Sequence, residues 1–293
     1  SGEVHAEVRT SSAELGQGLP AVLAACAAEE LGVPRDRVSI LLGDTDFCPD
    51  GGPTTASRQT FVSGNAARFA ARALRARLAT AGEPDMNMAA LIAHARDQDV
   101  SLKEQFEYWA PETQPLGTGG DMHFAFGFCA QAVLCEIDMD TGGVQVRKVI
   151  AAHDVGRAIN PLTLEGQIEG GIVMCIGYAL MEHYIQEQGQ PWTNVMARYS
   201  APRIAHAPEM VSHIVEHETS TGPWGAKGVG ELPSIPTSAA ITNAIHRATG
   251  VRVRSLPVDQ DELLRAIRNG AAEVELGWGD NAPIPTVEFG GSK

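Results

Sequence analysis

The chain has 293 residues, of which 44% are hydrophobic and 20% are charged, and its formal net charge is −14 at pH 7. This length suits one large domain or two medium ones, and the composition is that of an ordinary globular protein. The negative charge argues against nucleic acid or an anionic membrane surface as the main partner. The longest apolar runs are too short to span a bilayer, so no membrane partner is expected.

The N-terminal part of the chain is predicted to alternate between short strands and helices. Apolar periodicity and helix-stop signals predict, in chain order, a strand (residues 4–8), a helix (19–31), a strand (38–42), a long polar loop (43–60) and two helices (64–81 and 86–97). The loop at 43–60 is rich in turn formers and hydroxyl groups. Loops of that length in compact domains are more often functional than decorative.

The remainder of the chain mixes strands and helices without a regular order. The patterns predict a hairpin (124–137 and 144–152), a glycine-rich helix (162–181), a strand (211–216), a helix (236–249), a short strand (251–256) and a helix (259–269). Because there is no clean βαβ repeat, we predict an α+β fold with mixed sheets and packed helices rather than a doubly wound sheet. Pro and Gly cluster near residue 120, which favours a domain boundary there.

The most distinctive segment is the loop at residues 222–233, where four glycines surround a single carboxylate, Glu231, just ahead of a predicted helix. Glycine lets a backbone approach a ligand closely, and the start of a helix presents free N–H groups. One carboxylate placed at the edge of such a loop can serve as a general base. In a tight, mostly apolar loop we expect this side chain to be partly desolvated. A glycine-rich turn with a solvated Glu231 is the alternative interpretation.

Four loops share glycine together with amide or hydroxyl groups and carry little positive charge. They are residues 15–18, 53–60, 164–171 and 227–231. Gln17 and Gln167 each offer an amide donor and acceptor, and Thr54, Ser57 and Gln59 can hold a phosphate with few cations. There is no Walker A or G-x-G-x-x-G motif. Each loop alone can be an ordinary turn, but together they predict a site for an extended, polar, phosphorylated cofactor; a generic phosphate-binding module is the alternative.

Patterns typical of metal sites held directly by side chains are missing from the sequence. The five cysteines are scattered with no C-x-x-C pair, and the nine histidines form no H-E-x-x-H motif. No G-x-S-x-G elbow is present, which argues against a hydrolase of that type. Scattered, unpaired cysteines fit a reduced compartment, so we predict a cytoplasmic location.

Five motifs follow one another in a recognisable order. They are Gly16-Gln-Gly18, Thr54-Thr-Ala-Ser57, Asp154-Val-Gly-Arg-Ala-Ile-Asn-Pro161, Gly166-Gln-Ile-Glu-Gly170 and Gly225-Ala-Lys-Gly-Val-Gly-Glu231. In this order they resemble the molybdenum hydroxylases, the xanthine dehydrogenase/aldehyde oxidase family. The resemblance runs from about residue 3 to about residue 270 and covers the C-terminal half of the family's molybdenum-binding region.

The resemblance implies a role for each matching residue. Glu231 corresponds to the general base in the hydroxylation of an N-heteroaromatic compound or an aldehyde, with water as the oxygen donor. The residues that match the family's cofactor contacts are Gln17, Gly18, Thr54, Ala56, Ser57, Gln59, Gln167, Val229 and Gly230. In this family the metal is held through the pterin dithiolene, so no residue is assigned as a metal ligand.

The resemblance also implies cofactors and partners. The expected cofactor is molybdopterin with molybdenum, in the cytosine dinucleotide form, with 2Fe-2S and FAD on partner subunits. The family's iron–sulfur and FAD regions and the first half of its molybdenum region are not matched here. We therefore expect one subunit of a split, heteromeric enzyme with a second molybdopterin-binding subunit, similar to bacterial nicotinate dehydrogenase-type proteins. A carbon monoxide dehydrogenase-type subunit and a non-catalytic scaffold subunit remain alternatives.

Within this interpretation the chain divides into three parts. Residues 1–120 form a first molybdopterin-binding lobe, residues 121–270 form a second lobe with the Glu231 loop, and residues 271–293 form a C-terminal tail. The chain begins at Ser1 without Met, in a strand-like run. We therefore expect a processed subunit or a piece of a larger polypeptide.

Overall fold

The computed structural model describes residues 3–83 and 85–274. These residues form helices together with strands that pair in both parallel and antiparallel orientation. The helices are α1 (Leu19–Leu31), α2 (Gln59–Thr80), α3 (Met88–Asp97), α4 (Pro161–Leu180), α5 (Met196–Tyr199), α6 (Thr237–Thr249) and α7 (Gln260–Asn269). The strands are β1 (Ala6–Thr10), β2 (Val38–Leu42), β3 (Cys129–Ile137), β4 (Val144–Asp154), β5 (Gln186–Glu187), β6 (Gln190–Pro191), β7 (Glu209–Val215), β8 (Arg252–Val253) and β9 (Glu273–Val274). This mixture confirms the α+β class.

A small parallel unit opens the chain. β1 pairs with β2 in parallel, with Ala6 opposite Val38, and α1 is the crossover between them. Parallel neighbours need such a crossover because a tight turn can join only antiparallel strands. The bounds of α1 match the prediction, and Gly32 ends the helix in the left-handed conformation, with φ at 66°.

Helix α2 begins at Gln59, five residues before the predicted start at residue 64. Polar residues in the first turn resemble a loop when the sequence is considered alone. The decisive residue is Phe61, whose side chain is 2% exposed and anchors that turn in the core. Helix α2 packs along α1, and small buried side chains such as Ala27 and Ala71 allow the two helices to approach closely.

A second sheet has the order β3–β4–β7. β3 and β4 are neighbours joined by the turn at residues 138–143, which is closed by hydrogen bonds between Asp138 and Gly143 and between Gly142 and Asp138. The predicted hairpin is therefore confirmed. β3 starts at Cys129 rather than at residue 124, and the three phenylalanines before it, Phe124, Phe126 and Phe128, are exposed.

The chain forms two compact units that interleave along the sequence. Among the described residues, the first contains 3–83, 85–132, 150–172 and 210–236, and the second contains 133–149, 173–209 and 237–274. The predicted lobes at 1–120 and 121–270 are continuous segments, and their assignment to the cofactor stays a prediction. The predicted tail at 271–293 lies outside the described residues from position 275 onward. Among the described residues, no helix combines the length and apolar character needed to cross a bilayer.

One buried titratable group in β4 gives the first testable prediction. The His153 side chain is fully buried, its Nδ1 has no hydrogen-bond partner among the described residues, and burial lowers its pKa below the usual 6.5. The folded protein therefore keeps a neutral ring where the unfolded chain binds a proton. The free energy of unfolding should fall as the pH drops below about 6.5, down to the lowered pKa of the folded state.

Denaturant unfolding between pH 7.5 and 5.5 measures this effect. His153→Gln should flatten the pH dependence because the titrating ring is gone. His213, which is exposed on β7, provides the matched control, and His213→Gln should leave the slope as it is in the parent protein. An unchanged slope in His153→Gln would contradict the assignment.

Candidate functional site

A cleft of about 500 Å³ lies within the first compact unit. Ligand sites in proteins commonly fall between about 300 and 1,000 Å³. The lining comes from the four loops that the sequence singled out, together with the segment after β4. The predicted site residues that line it are Gln17, Thr54, Ala56, Ser57, Gln59, Gln167, Val229, Gly230 and Glu231. Gly18 is not among the lining residues; it is the N-cap of α1 and has a φ of 81°.

The loop before α2 has an unusual backbone. Ala56 and Ser57 both have φ values of 53°, in the left-handed region that residues with a side chain rarely adopt. Such conformations cost free energy and persist only where the surroundings enforce them, which is typical of functional sites. Thr54 helps to enforce it, because its Oγ1 accepts hydrogen bonds from Ala13 N at 2.8 Å and from Gln59 Nε2 at 3.3 Å.

The amide of Gln59 is used inside the protein. Its oxygen accepts hydrogen bonds from the hydroxyls of Ser12 and Ser63, and its Nε2 donates to Pro53 O and to Thr54 Oγ1, both at 3.3 Å. These bonds fill the two donor and two acceptor positions of an amide. Gln59 therefore lines the cleft while its amide links the segment at Ser12, the loop at 53–54 and helix α2.

The loop before α1 carries its own anion. The Glu14 carboxylate accepts hydrogen bonds from Gly16 N at 2.8 Å, Gly18 N at 2.9 Å and Leu19 N at 2.7 Å. A carboxylate at a helix start is favourable because the free N–H groups point at it. These N–H groups are consequently occupied by Glu14 in the folded chain.

Gln17 and Gln167, the two glutamines predicted to contact a cofactor, differ in how many hydrogen bonds their side-chain amides make within the protein. The Gln17 amide accepts from Leu15 N at 2.5 Å and donates to Ala13 O at 2.9 Å. Among the described residues, this leaves one donor and one acceptor position of the amide open. Gln167, on α4, lines the cleft, and its side-chain amide makes no hydrogen bond within the part of the chain that the structure describes. Gln167 therefore brings an unengaged amide to the cleft.

The Glu231 carboxylate is tied to Ser57, which lies 174 residues earlier in the chain. Ser57 Oγ donates a hydrogen bond to Glu231 Oε2 at 2.8 Å and accepts one from Glu231 N at 2.8 Å. The expected desolvation is wrong for this chain, because the Glu231 side chain is exposed. The reason is that the loop backbone is buried from Gly225 to Lys227, while Gly230 and Glu231 stand at its outer edge.

A close approach between two backbones holds this junction together. A Cβ atom placed on Gly228 would lie 1.6 Å from the carbonyl oxygen of Ser57, and real Cβ atoms do not come that near to another atom. Only glycine lets the Ser57 backbone rest directly on the loop that carries Glu231.

A buried ion pair anchors the same loop from behind. Lys227 Nζ donates to Asp154 Oδ2 at 2.6 Å, and the two side chains are 6% and 8% exposed. Lys227 N also donates to Val155 O at 2.9 Å, while Asp154 Oδ1 accepts from Gly156 N at 3.1 Å. The loop is thus fastened to the end of β4 by both backbone and side chain.

Sequence reasoning missed the positive groups around the cleft. Arg58 and Arg157 line it, whereas the sequence pattern indicated loops with little positive charge. Arg58 donates through Nε and Nη2 to Pro53 O at 3.1 and 2.6 Å, and Arg157 lies 3.8 Å from the Glu216 carboxylate. The signal for Arg58 was its place directly between the hydroxyl-rich loop and the start of α2. In the described part of the chain, no group of three or more His, Cys, Asp or Glu residues is placed to hold a metal ion.

The chain belongs to the molybdopterin cofactor-binding domain family, whose pattern it matches over residues 2–208. This confirms the resemblance to the molybdenum hydroxylases that the motifs predicted. The chain is 34% identical over 282 residues to the 6-hydroxypseudooxynicotine dehydrogenase complex subunit gamma of Paenarthrobacter nicotinovorans, with 87% of this chain and 35% of the relative covered. It is 34% identical over 270 residues to the aldehyde oxidoreductase molybdenum-binding subunit of Escherichia coli, with 88% and 36% covered.

A solved structure shows the same fold. The crystal structure of the aldehyde oxidoreductase from Desulfovibrio desulfuricans superposes with a TM-score of 0.80 at 28% identity, over 89% of this chain and 28% of that one. The chain therefore spans about a third of the length of the relatives that it matches.

Proposed function

We propose that this chain is the molybdopterin-binding part of a molybdenum-dependent oxidoreductase that hydroxylates an N-heteroaromatic compound or an aldehyde, with water as the oxygen donor. The observation that carries the proposal is the cleft in which four polar loops meet around one carboxylate, Glu231. The names of the relatives, a dehydrogenase of a nicotine derivative and an aldehyde oxidoreductase, support this substrate class.

The lining of the cleft suits a large polar cofactor with a phosphorylated tail. Gln167 offers a free amide to a polar ring, and Gln17 keeps one donor and one acceptor. Arg58 offers guanidinium donors beside the start of α2, where phosphate groups are favoured. When bound, the cofactor supplies the molybdenum that takes up the electrons removed from the substrate.

Glu231 acts as the general base in this proposal. Its Oε2 is held by Ser57, while its Oε1 makes no hydrogen bond among the described residues and is open to accept a proton. Exposure in this chain keeps the carboxylate accessible from the cleft, which it lines. A base must lie within hydrogen-bond reach of the proton that it removes.

The proposal extends to the rest of the complex. We propose the cytosine dinucleotide form of molybdopterin, a second molybdopterin-binding subunit, and 2Fe-2S and FAD on further subunits. Two relatives are named as subunits, one of them as a subunit of a dehydrogenase complex. These names support a heteromeric enzyme.

Metal and nucleotide analysis of the natively purified complex tests the proposal. A tag on this chain should recover molybdenum, iron and flavin, and acid hydrolysis should release cytidine monophosphate in proportion to molybdenum. Arg58→Gln should lower the molybdenum and cytidine monophosphate contents together, because a charge-assisted hydrogen bond is worth roughly ten- to a hundredfold in affinity. Arg265→Gln, which changes an exposed residue of α7, should leave both contents intact.

Two results would contradict the proposal. A metal-free complex that binds free nucleotides would indicate a generic phosphate-binding module. A metal-free complex that does not bind free nucleotides either, purified from a host able to make the cofactor, would indicate a scaffold subunit.

A further inference from the structure

We infer that Ser57 is a positioning residue for Glu231: its hydroxyl fixes the carboxylate so that Oε1, and not Oε2, accepts the proton. The inference rests on the proposed function, because it assigns Ser57 a part in the action of that base. The resemblance alone assigned Ser57 to the cofactor contacts, and the geometry points to a different task.

The hydrogen bonds of Ser57 define that task. The hydroxyl has a single proton, and it is donated to Glu231 Oε2 at 2.8 Å. Ser57 Oγ also accepts a hydrogen bond from the backbone N–H of Glu231 at 2.8 Å. Because one atom binds both the backbone and the carboxylate of Glu231, it restricts the torsion angles between them. The hydroxyl also has no proton left to donate to a phosphate.

The position of Ser57 is itself enforced by the neighbouring loop. Its φ of 53° is unfavourable for a residue with a side chain, so the conformation must be held by its surroundings. The loop that carries Glu231 supplies that support, since Gly228 lies directly against the Ser57 carbonyl and a Cβ on Gly230 would lie 3.3 Å from Ser57 Oγ. Ser57 and Glu231 are therefore set by one contact between two loops.

The remaining acceptor of the carboxylate follows from this arrangement. A carboxylate accepts hydrogen bonds through both oxygens, and Oε2 already has the Ser57 hydroxyl as a donor. Oε1 makes no hydrogen bond in the described part of the chain. We therefore assign the reacting proton to Oε1, whose direction depends on the bond between the Ser57 hydroxyl and Oε2.

A double-mutant cycle in the holoenzyme tests the inference. Ser57→Ala should lower kcat roughly ten- to a hundredfold through misplacement of the base, with KM and molybdenum content unchanged. In a Glu231→Gln background the same change should lower the remaining kcat less than about threefold, because residues that act as one unit are not additive. Ser57→Gly should behave like Ser57→Ala and keeps the loop foldable, since glycine adopts positive φ freely.

Ser234 offers a matched hydroxyl as the control. Ser234 Oγ donates to the backbone carbonyl of Glu231 at 2.7 Å, and Ser234 N donates to the same carbonyl at 3.1 Å. Ser234→Ala therefore removes a hydroxyl bonded to Glu231 without touching its carboxylate, and it should keep kcat within about twofold.

The outcomes separate this inference from the proposed function. Equal losses of kcat in both backgrounds, or no loss in either, would overturn the positioning role and leave the base assignment intact. A loss of molybdenum in both Ser57 variants would also overturn it and return Ser57 to the cofactor contacts. Wild-type turnover in Glu231→Gln alone would remove the base assignment and the inference with it.

Discussion

Glu231→Gln should lower kcat by about 10²–10⁴-fold, the usual contribution of a general base, while the molybdenum content stays at the level of the parent enzyme. Glutamine keeps the size of the side chain and an oxygen that can accept the Ser57 hydrogen bond, so the two loops should stay joined. It cannot take up a proton at neutral pH. The loss should therefore appear in the chemical step, measured by single-turnover kinetics with enzyme in excess over substrate.

Glu165 provides the matched control for this change. It is an exposed glutamate on α4, the helix that also carries Gln167, and it does not line the cleft. Glu165→Gln removes the same charge from the same region and should leave kcat within about twofold, since surface substitutions have small effects. A Glu231→Gln enzyme that turns over at the parent rate would refute the base assignment.

Lys227→Met should lower the free energy of unfolding by about 3–5 kcal/mol, the usual result of leaving one member of a buried ion pair alone. The Asp154 carboxylate would stay buried behind the Glu231 loop. Among the described residues, its remaining hydrogen-bond partner would be the Gly156 N–H. Denaturant unfolding of the purified protein measures the change. The loop keeps its backbone bond to Val155 but loses its side-chain bond to Asp154, so cofactor content should fall with stability.

A second variant separates the unpaired charge from lost packing. Lys227→Met combined with Asp154→Leu removes both charges and should recover most of the stability, because apolar replacement of a buried pair is often neutral. Lys148 is the control for the loss of a lysine charge from an exposed ion pair. Its bond to Glu209 is 2.7 Å long, but the side chains are 34% and 65% exposed, so Lys148→Met should cost less than about 1 kcal/mol. Equal losses at Lys227 and Lys148 would contradict the role of burial.

Helices and strands were predicted best where the local sequence carries a strong stop residue or a clear apolar run. The bounds of α1 and β2 agree with the prediction, since Gly32 ends the helix and an apolar run defines the strand. The start of α2 was missed because its first turn is polar, and only the burial of Phe61 shows that it is helical. The apolar residues before Cys129 were predicted to be strand, yet they lie outside the sheet, and the three phenylalanines among them are exposed.

The candidate site was predictable as a set of loops but not as a set of bonds. Residue types and order indicated which segments meet, and those segments line one cleft. The pairing of Ser57 with Glu231 could not be predicted, because it joins side chains that are 174 residues apart and depends on the backbone of Gly228. The occupation of the α1 start by Glu14 was also missed, since nothing in the local sequence says which anion a helix start receives.

The distribution of the lining along the chain has a consequence for biosynthesis. The first and last lining residues, Leu15 and Glu231, are 216 residues apart. At about 5–20 residues per second, translation from one to the other takes roughly ten to forty seconds. From the synthesis of Ser57 until that of Gly228, the nascent chain lacks the loop that rests on Ser57. Binding of a cofactor in this cleft should therefore wait until the chain has been made as far as Glu231, because only then can the junction between the two loops form.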